Sequence, residues 1–83
     1  MLKNPRTTIH GIVIPDAWDD SGNVVAVAVF TFQEQKIRIV DDRLGRTLKR
    51  HMRQRVTVDG EMFLRDQAPF LRVHRYRVDK APP

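Results

Sequence analysis

Eighty-three residues without a single cysteine allow one domain that buries roughly 60–65% of its unfolded surface, and they exclude disulfides, a thiolate zinc centre and a cysteine nucleophile. Hydrophobic residues at 41% and charged ones at 30% exclude a disordered chain, and the longest apolar run, Val24 to Phe30, falls short of the ~20 residues a membrane helix needs. The net charge of +5 hides an asymmetry: residues 1–35 carry two bases against four acids, residues 36–83 thirteen against six.

In chain order, the polar start Met1-Leu2-Lys3-Asn4-Pro5-Arg6 predicts no secretory signal, and the cytoplasm is the expected compartment. Thr7 to Pro15 is rich in β-branched residues and reads as a strand. Gly11 in its middle marks a bulge or bend. Asp16 to Asn23 is polar and ends in Ser-Gly-Asn, the mark of a hairpin loop. Val24 to Phe32 is apolar in both alternating registers and reads as a strand buried on most of its length. Which register faces inward, Val25, Val27 and Val29 or Ala26, Ala28, Phe30 and Phe32, is open. After the turn Gln33-Glu34-Gln35, Lys36 to Val40 alternates cleanly, Ile37 and Ile39 on one side and Lys36 and Arg38 on the other.

The period then changes. Asp41 or Asp42 can cap a helix and favours the positive end of its dipole. Leu44, Leu48 and Met52 follow at i, i+4 and i+8, the apolar stripe of a helix of two to three turns. Arg46, Arg50 and Arg53 form a basic stripe on another face. Alternation returns at Arg55, with Val56, Val58, Gly60 and Met62 opposite Thr57, Asp59, Glu61 and Phe63. Arg65 to Pro69 reads as a loop and Phe70 to Val78 as the last strand, before a tail from Asp79 to Pro83. In that strand Arg75 and Arg77 continue the register of Leu71 and Val73, and charged and apolar groups cannot all be interior. Either the strand leaves the core after Val73, or a bulge swaps the faces and turns Tyr76 and Val78 inward; the bulge is the reading preferred here.

Five strands and one short helix form an open sheet only at the cost of wetting one face, which the apolar segment 24–32 opposes. Closing the strands into a small barrel removes most edges, and the stripe of Leu44, Leu48 and Met52 can plug one end. Over residues 7–78, Gly11 in a long first strand, the run Val56-x-Val58-x-Gly60 and the following Leu71-x-Val73 resemble the OB-fold of many small bacterial domains. That resemblance implies an all-β, five-stranded Greek-key barrel in the order β1-β2-β3-α-β4-β5, spanning one domain. An SH3-like barrel is the structural alternative.

Enzymatic chemistry finds little support. Ser21, the sole serine, sits in a turn with no histidine near it in sequence. His10, His51 and His74 lie on three different elements, unlike the local ligand pairs of metal sites. The acids Asp16, Asp19 and Asp20 depart from the alternating spacing of a calcium loop. Neither cofactor nor metal is expected, and no enzyme.

What remains is binding. The OB resemblance implies a face across the second and third strands, bordered by the loops after the first and fourth strands. A cationic groove with aromatic platforms suits single-stranded nucleic acid, DNA or RNA, or structured RNA. The residues expected there are Lys36 and Arg38 for the backbone, Trp18 and Phe30 for stacking, and Arg65 and Arg72 as flanks. Trp18 can equally cover a barrel end, and for Phe30 and Phe32 a place in the core is the favoured alternative. The alternative is a protein-interaction module docking an acidic partner through Arg46, Arg50 and Arg53; the acids of the first loop suit it better.

Overall fold

A computed structural model describes residues 5–79; the expected polar start at residues 1–4 and tail at 80–83 lie outside the described residues. Strands β1 (Arg6–Trp18), β2 (Val24–Thr31) and β3 (Lys36–Ile39) precede helix α1 (Arg43–Thr47) and a 3-10 turn (Leu48–His51); β4 (Arg55–Arg65) and β5 (Ala68–Val78) follow. The strands close into a barrel in the order β1-β2-β3-β5-β4. Only the β3–β5 seam is parallel. A closed five-stranded barrel with one short helix between β3 and β4 is compatible with an OB-like fold. No helix among the described residues is long and apolar enough to cross a membrane.

The interior is built by alternation. Val13, Val27, Val29, Ile37, Ile39, Val56, Val58, Leu71 and Val73 form one cluster with Leu48. This settles the register of β2: Val29 lies opposite the buried Val13 and Ile37, while Phe30 and Phe32 are 43% and 57% exposed. The core reading of the two phenylalanines is therefore corrected. Ala28 is nevertheless fully buried, between Ile14 and Arg38 in register, where its small side chain is overlaid by longer neighbours.

Strand β1 runs beyond Pro15 to Trp18, so the hairpin loop shrinks to 19–23. Asp19 closes it, its carboxylate accepting from the backbone N–H of Ser21 and of Asn23, each at 2.9 Å. The register shifts sit on either side of Ala17, not at Gly11. Gly11 instead pairs with both Thr31 and Val56, and a Cβ there would lie 2.2 Å from the Phe30 carbonyl oxygen. Its role is close approach, at the point where one strand serves two neighbours.

The helix is shorter than its apolar stripe suggests. Asp42 is the cap, its Oδ1 accepting from Gly45 N–H at 2.8 Å. After five α-helical residues the chain tightens into the 3-10 turn. Leu48 is fully buried, with Leu44 and Met52 partly buried against the core, so the plug forms even though the hydrogen-bond pattern changes. Arg53 stands beyond it with φ of 65°, which breaks the expected basic stripe: Arg46 and Arg50 belong to the helical segment and Arg53 to the turn after it.

Of the two readings of β5, the bulge with its face swap is the one that occurs. Asp59 pairs with Arg75 and Gly60 with Val73, leaving His74 as the extra residue of a bulge. Tyr76 and Val78 pack against the core. Thr47 Oγ1 donates to the Leu44 carbonyl at 2.7 Å and lies 2.6 Å from the Tyr76 hydroxyl, so the phenol donates to Thr47 and ties the helix to β5.

Candidate functional site

Because Ile37 and Ile39 point into the barrel, Lys36 and Arg38 point out of it. The ladder registers then set a row of outward side chains across the barrel: Ile14, Ala28, Arg38, Phe70 and Phe63, on β1, β2, β3, β5 and β4 in turn. An adjacent row holds Ile12, Phe30 and Lys36. Phe63 and Phe70 stack with ring centres 5.8 Å apart and planes 21° from parallel. The Arg65 guanidinium lies 4.9 Å from the Phe70 ring centre and 5.5 Å from that of Phe63. The Arg38 guanidinium lies 6.0 Å from the Phe70 ring centre. Each such contact contributes about 0.5–1 kcal/mol at an exposed site. Their larger effect is positional, since they hold two cations over aromatic faces.

A single carboxylate organises the cations of β3. Asp16 Oδ1 has the Lys36 ammonium at 2.6 Å, and Asp16 Oδ2 has Arg38 Nε at 3.3 Å. The Asp16 side chain is 12% exposed, whereas both cations are 44% exposed. Oδ1 is buried without a hydrogen bond, so the ammonium meets it as an ion pair off the hydrogen-bonding axis. The extension of β1 past Pro15 is what brings Asp16 here; read as a loop residue, it had no assigned partner.

Phe30, Lys36, Arg38 and Arg65 thus share one surface. Trp18, 57% exposed, stands at the hairpin end of β1, two residues beyond Asp16. Arg72 turns toward the helix, its guanidinium 3.7 Å from the Asp42 cap. Sequence reading missed Phe63, Phe70 and Asp16. The two phenylalanines carried a signal: both lie in outward registers on either side of a two-residue turn, next to Arg65.

A second basic surface lies at the helical end. Arg46 is paired with Asp41 at 2.9 Å. Among the described residues Arg43, Lys49, Arg50, Arg53 and Arg55 make no ion pair. The histidines go to separate partners: His10 to Thr57 at 3.1 Å, His74 to Glu61 at 2.7 Å, and His51 edge-on against Tyr76. No group of three potential metal ligands occurs among the described residues. Asp19 is held below the ordinary carboxylate range, chiefly by the Asn23 backbone N–H. Asp79 is held low by the Thr57 hydroxyl and then by Arg77.

Comparison of the chain with protein-family models, with curated proteins and with solved structures finds no match.

Proposed function

We propose that the chain is a small OB-like module that binds single-stranded nucleic acid across the outer surface of β2, β3, β5 and β4. The observation that carries this reading is the alternation of cations and rings along one face: Phe30 beside Lys36, and Arg38, Phe70, Phe63 and Arg65 in contact order. Phosphates would meet Lys36, Arg38 and Arg65, while bases stack on Phe30 and Phe70, each stacked base contributing about 1–3 kcal/mol. Trp18 extends the platform at the hairpin end. Arg72, drawn to Asp42, has a lesser part. A cytoplasmic setting, where nucleic acid is the abundant polyanion, fits this reading.

Trp18 is the only tryptophan, so its fluorescence reports on the face directly. Titration with a short single-stranded oligonucleotide should quench or shift it. Three phosphate contacts should give a slope of log K against log salt near −2, at about −0.7 per contact. Lys36→Glu with Arg38→Glu should lower affinity by at least tenfold with unchanged circular dichroism, because both side chains are outward. Absence of any response at low salt up to about 100 µM protein, the weak end of non-specific binding, refutes the reading.

One observation favours a second reading. The cations of the face are partly neutralised by Asp16, whereas Arg43, Lys49, Arg50 and Arg53 near the helix have no acidic partner among the described residues. An acidic protein docking there would use Arg50 and Arg53, with Arg46 released from Asp41.

A further inference from the structure

Strand β1 pairs with β4 from Arg6 to Ile12 but with β2 only from Gly11 onward. Residues 6–10 therefore have a ladder on one side alone. The direction of the other side follows from three backbone hydrogen bonds. Met62 N–H donates to the Pro5 carbonyl and Val13 N–H to the Gln54 carbonyl, both at 3.1 Å, so the odd-numbered residues of this stretch turn their backbone groups toward β4. Phe32 N–H donates to the His10 carbonyl at 3.1 Å, so the even-numbered ones face the opposite way. Beyond that bond β2 has ended, and among the described residues the N–H and C=O groups of Arg6 and Thr8 have no strand beside them.

Thr8 borders a cleft of about 510 Å³ at the mouth of the barrel, floored by Ile9, Ile37 and Met62 and rimmed by His10, Phe32 and Arg55, a size within the usual range for a binding site; Arg6 lies just outside it. Pairing groups two residues apart repeat at about 6.6–6.8 Å, the period of an extended peptide. Nucleic acid offers no such repeat of alternating amide donors and acceptors. The charge at the cleft is also specific. Asp79 is engaged by Thr57 at 2.9 Å and Arg77 at 3.0 Å, and Arg6 by Asp59 at 3.3 Å. Arg55 rests over the exposed Phe32 ring at 5.7 Å and makes no ion pair among the described residues. The unmatched charge beside the edge is therefore positive, next to an apolar ring.

We infer that this edge takes up an extended, acidic peptide segment of a partner protein by strand addition, its backbone pairing with Arg6 and Thr8 and a carboxylate meeting Arg55. Main-chain pairing supplies the affinity in such complexes and the flanking pockets the selectivity. The pairing residues Arg6 and Thr8 are not part of the cation–ring face, although Arg55 adjoins it, in register with Ile12 of the row that holds Phe30 and Lys36.

The test uses the full chain, labelled with nitrogen-15, and heptapeptides of alternating threonine and valine with one glutamate at the centre. In the free protein the Arg6 and Thr8 amides should exchange quickly while those of Thr7 and Ile9 are protected. Adding the peptide should slow exchange at Thr8 and shift the signals of Arg6, Thr8 and Phe32. Replacing glutamate by lysine should weaken binding about three- to fivefold, the scale of one exposed ion pair, and Arg55→Glu should reverse that preference. Methylating alternate peptide nitrogens should abolish binding. Thr8→Pro removes only the outward N–H, so it should block the peptide and spare oligonucleotide binding. Three results overturn the inference: a Thr8 amide already protected in the free protein, no shifts at millimolar peptide, or equal binding of the methylated peptide. These readouts need only the folded chain, so they hold where the proline variant does not fold.

Discussion

On the proposed reading, Asp16 and an incoming phosphate would compete for the same two donors. The carboxylate lies 2.6 Å from the Lys36 ammonium and 3.3 Å from Arg38 Nε, so part of each cation's charge is already spent when a ligand arrives. Asp16→Asn should therefore raise oligonucleotide affinity several-fold and steepen the salt slope by about 0.7, one further phosphate contact. The cost in stability should be about 1 kcal/mol or less, because both cations stay solvated when released. Fluorescence anisotropy across a salt series reads the affinity and slope, and urea melts read the stability. A fall in affinity would instead mean that Asp16 positions the cations for use. The outward direction of Lys36 and Arg38 was legible from their alternation with Ile37 and Ile39. Their acidic partner was not, since it lies twenty positions away on a segment whose polarity reads as a loop.

Among the elements, β5 was the most legible and β2 the least. Burying Arg75 and Arg77 would cost far more than one unpaired bulge residue, so charge demanded a change after Val73, and the bulge at His74 is how the fold meets it. In β2 both registers are apolar, and the choice was made by the pairing of Val29 with Val13 and Ile37, a long-range contact that local spacing does not encode. The helix falls between these cases. Its cap and apolar stripe were readable, but the same stripe suits an α-helix or a mixed α and 3-10 segment, and local spacing does not separate the two. The β4–β5 bulge also explains Gly60, whose Cβ would sit 2.1 Å from the Arg72 carbonyl oxygen. Gly60→Ala must push one backbone against another and should cost about 3 kcal/mol, the upper part of the overpacking range. Gly22→Ala has open space but a φ of 85°, and its cost should stay near 1–2 kcal/mol. Denaturant midpoints of the two variants measure the difference; equal losses would mean that the bulge yields easily.

At the scale of the whole molecule the question is which positive surface an anion meets. The net charge is +5, yet acids and cations pair over much of the barrel, and among the described residues Lys49, Arg50 and Arg53 make no ion pair at the helical end. Reversing those three to glutamate takes the net charge from +5 to −1 and should barely change stability, within about 0.5 kcal/mol for exposed positions. If nucleic acid lies on the cation–ring face, these charges act on it only through solvent. Their loss should then weaken binding at low salt and matter little, roughly twofold, near 0.15 M, where the screening length is about 8 Å. Lys36→Glu with Arg38→Glu should still remove binding at both ionic strengths, because contact pairs are screened less than distant ones. The same oligonucleotide titrated against both variants at two salt concentrations decides the matter. Loss of binding near 0.15 M in the triple variant, with the double variant unaffected, would move the anion site to the helical end and leave the face of β2 and β3 without its assigned ligand.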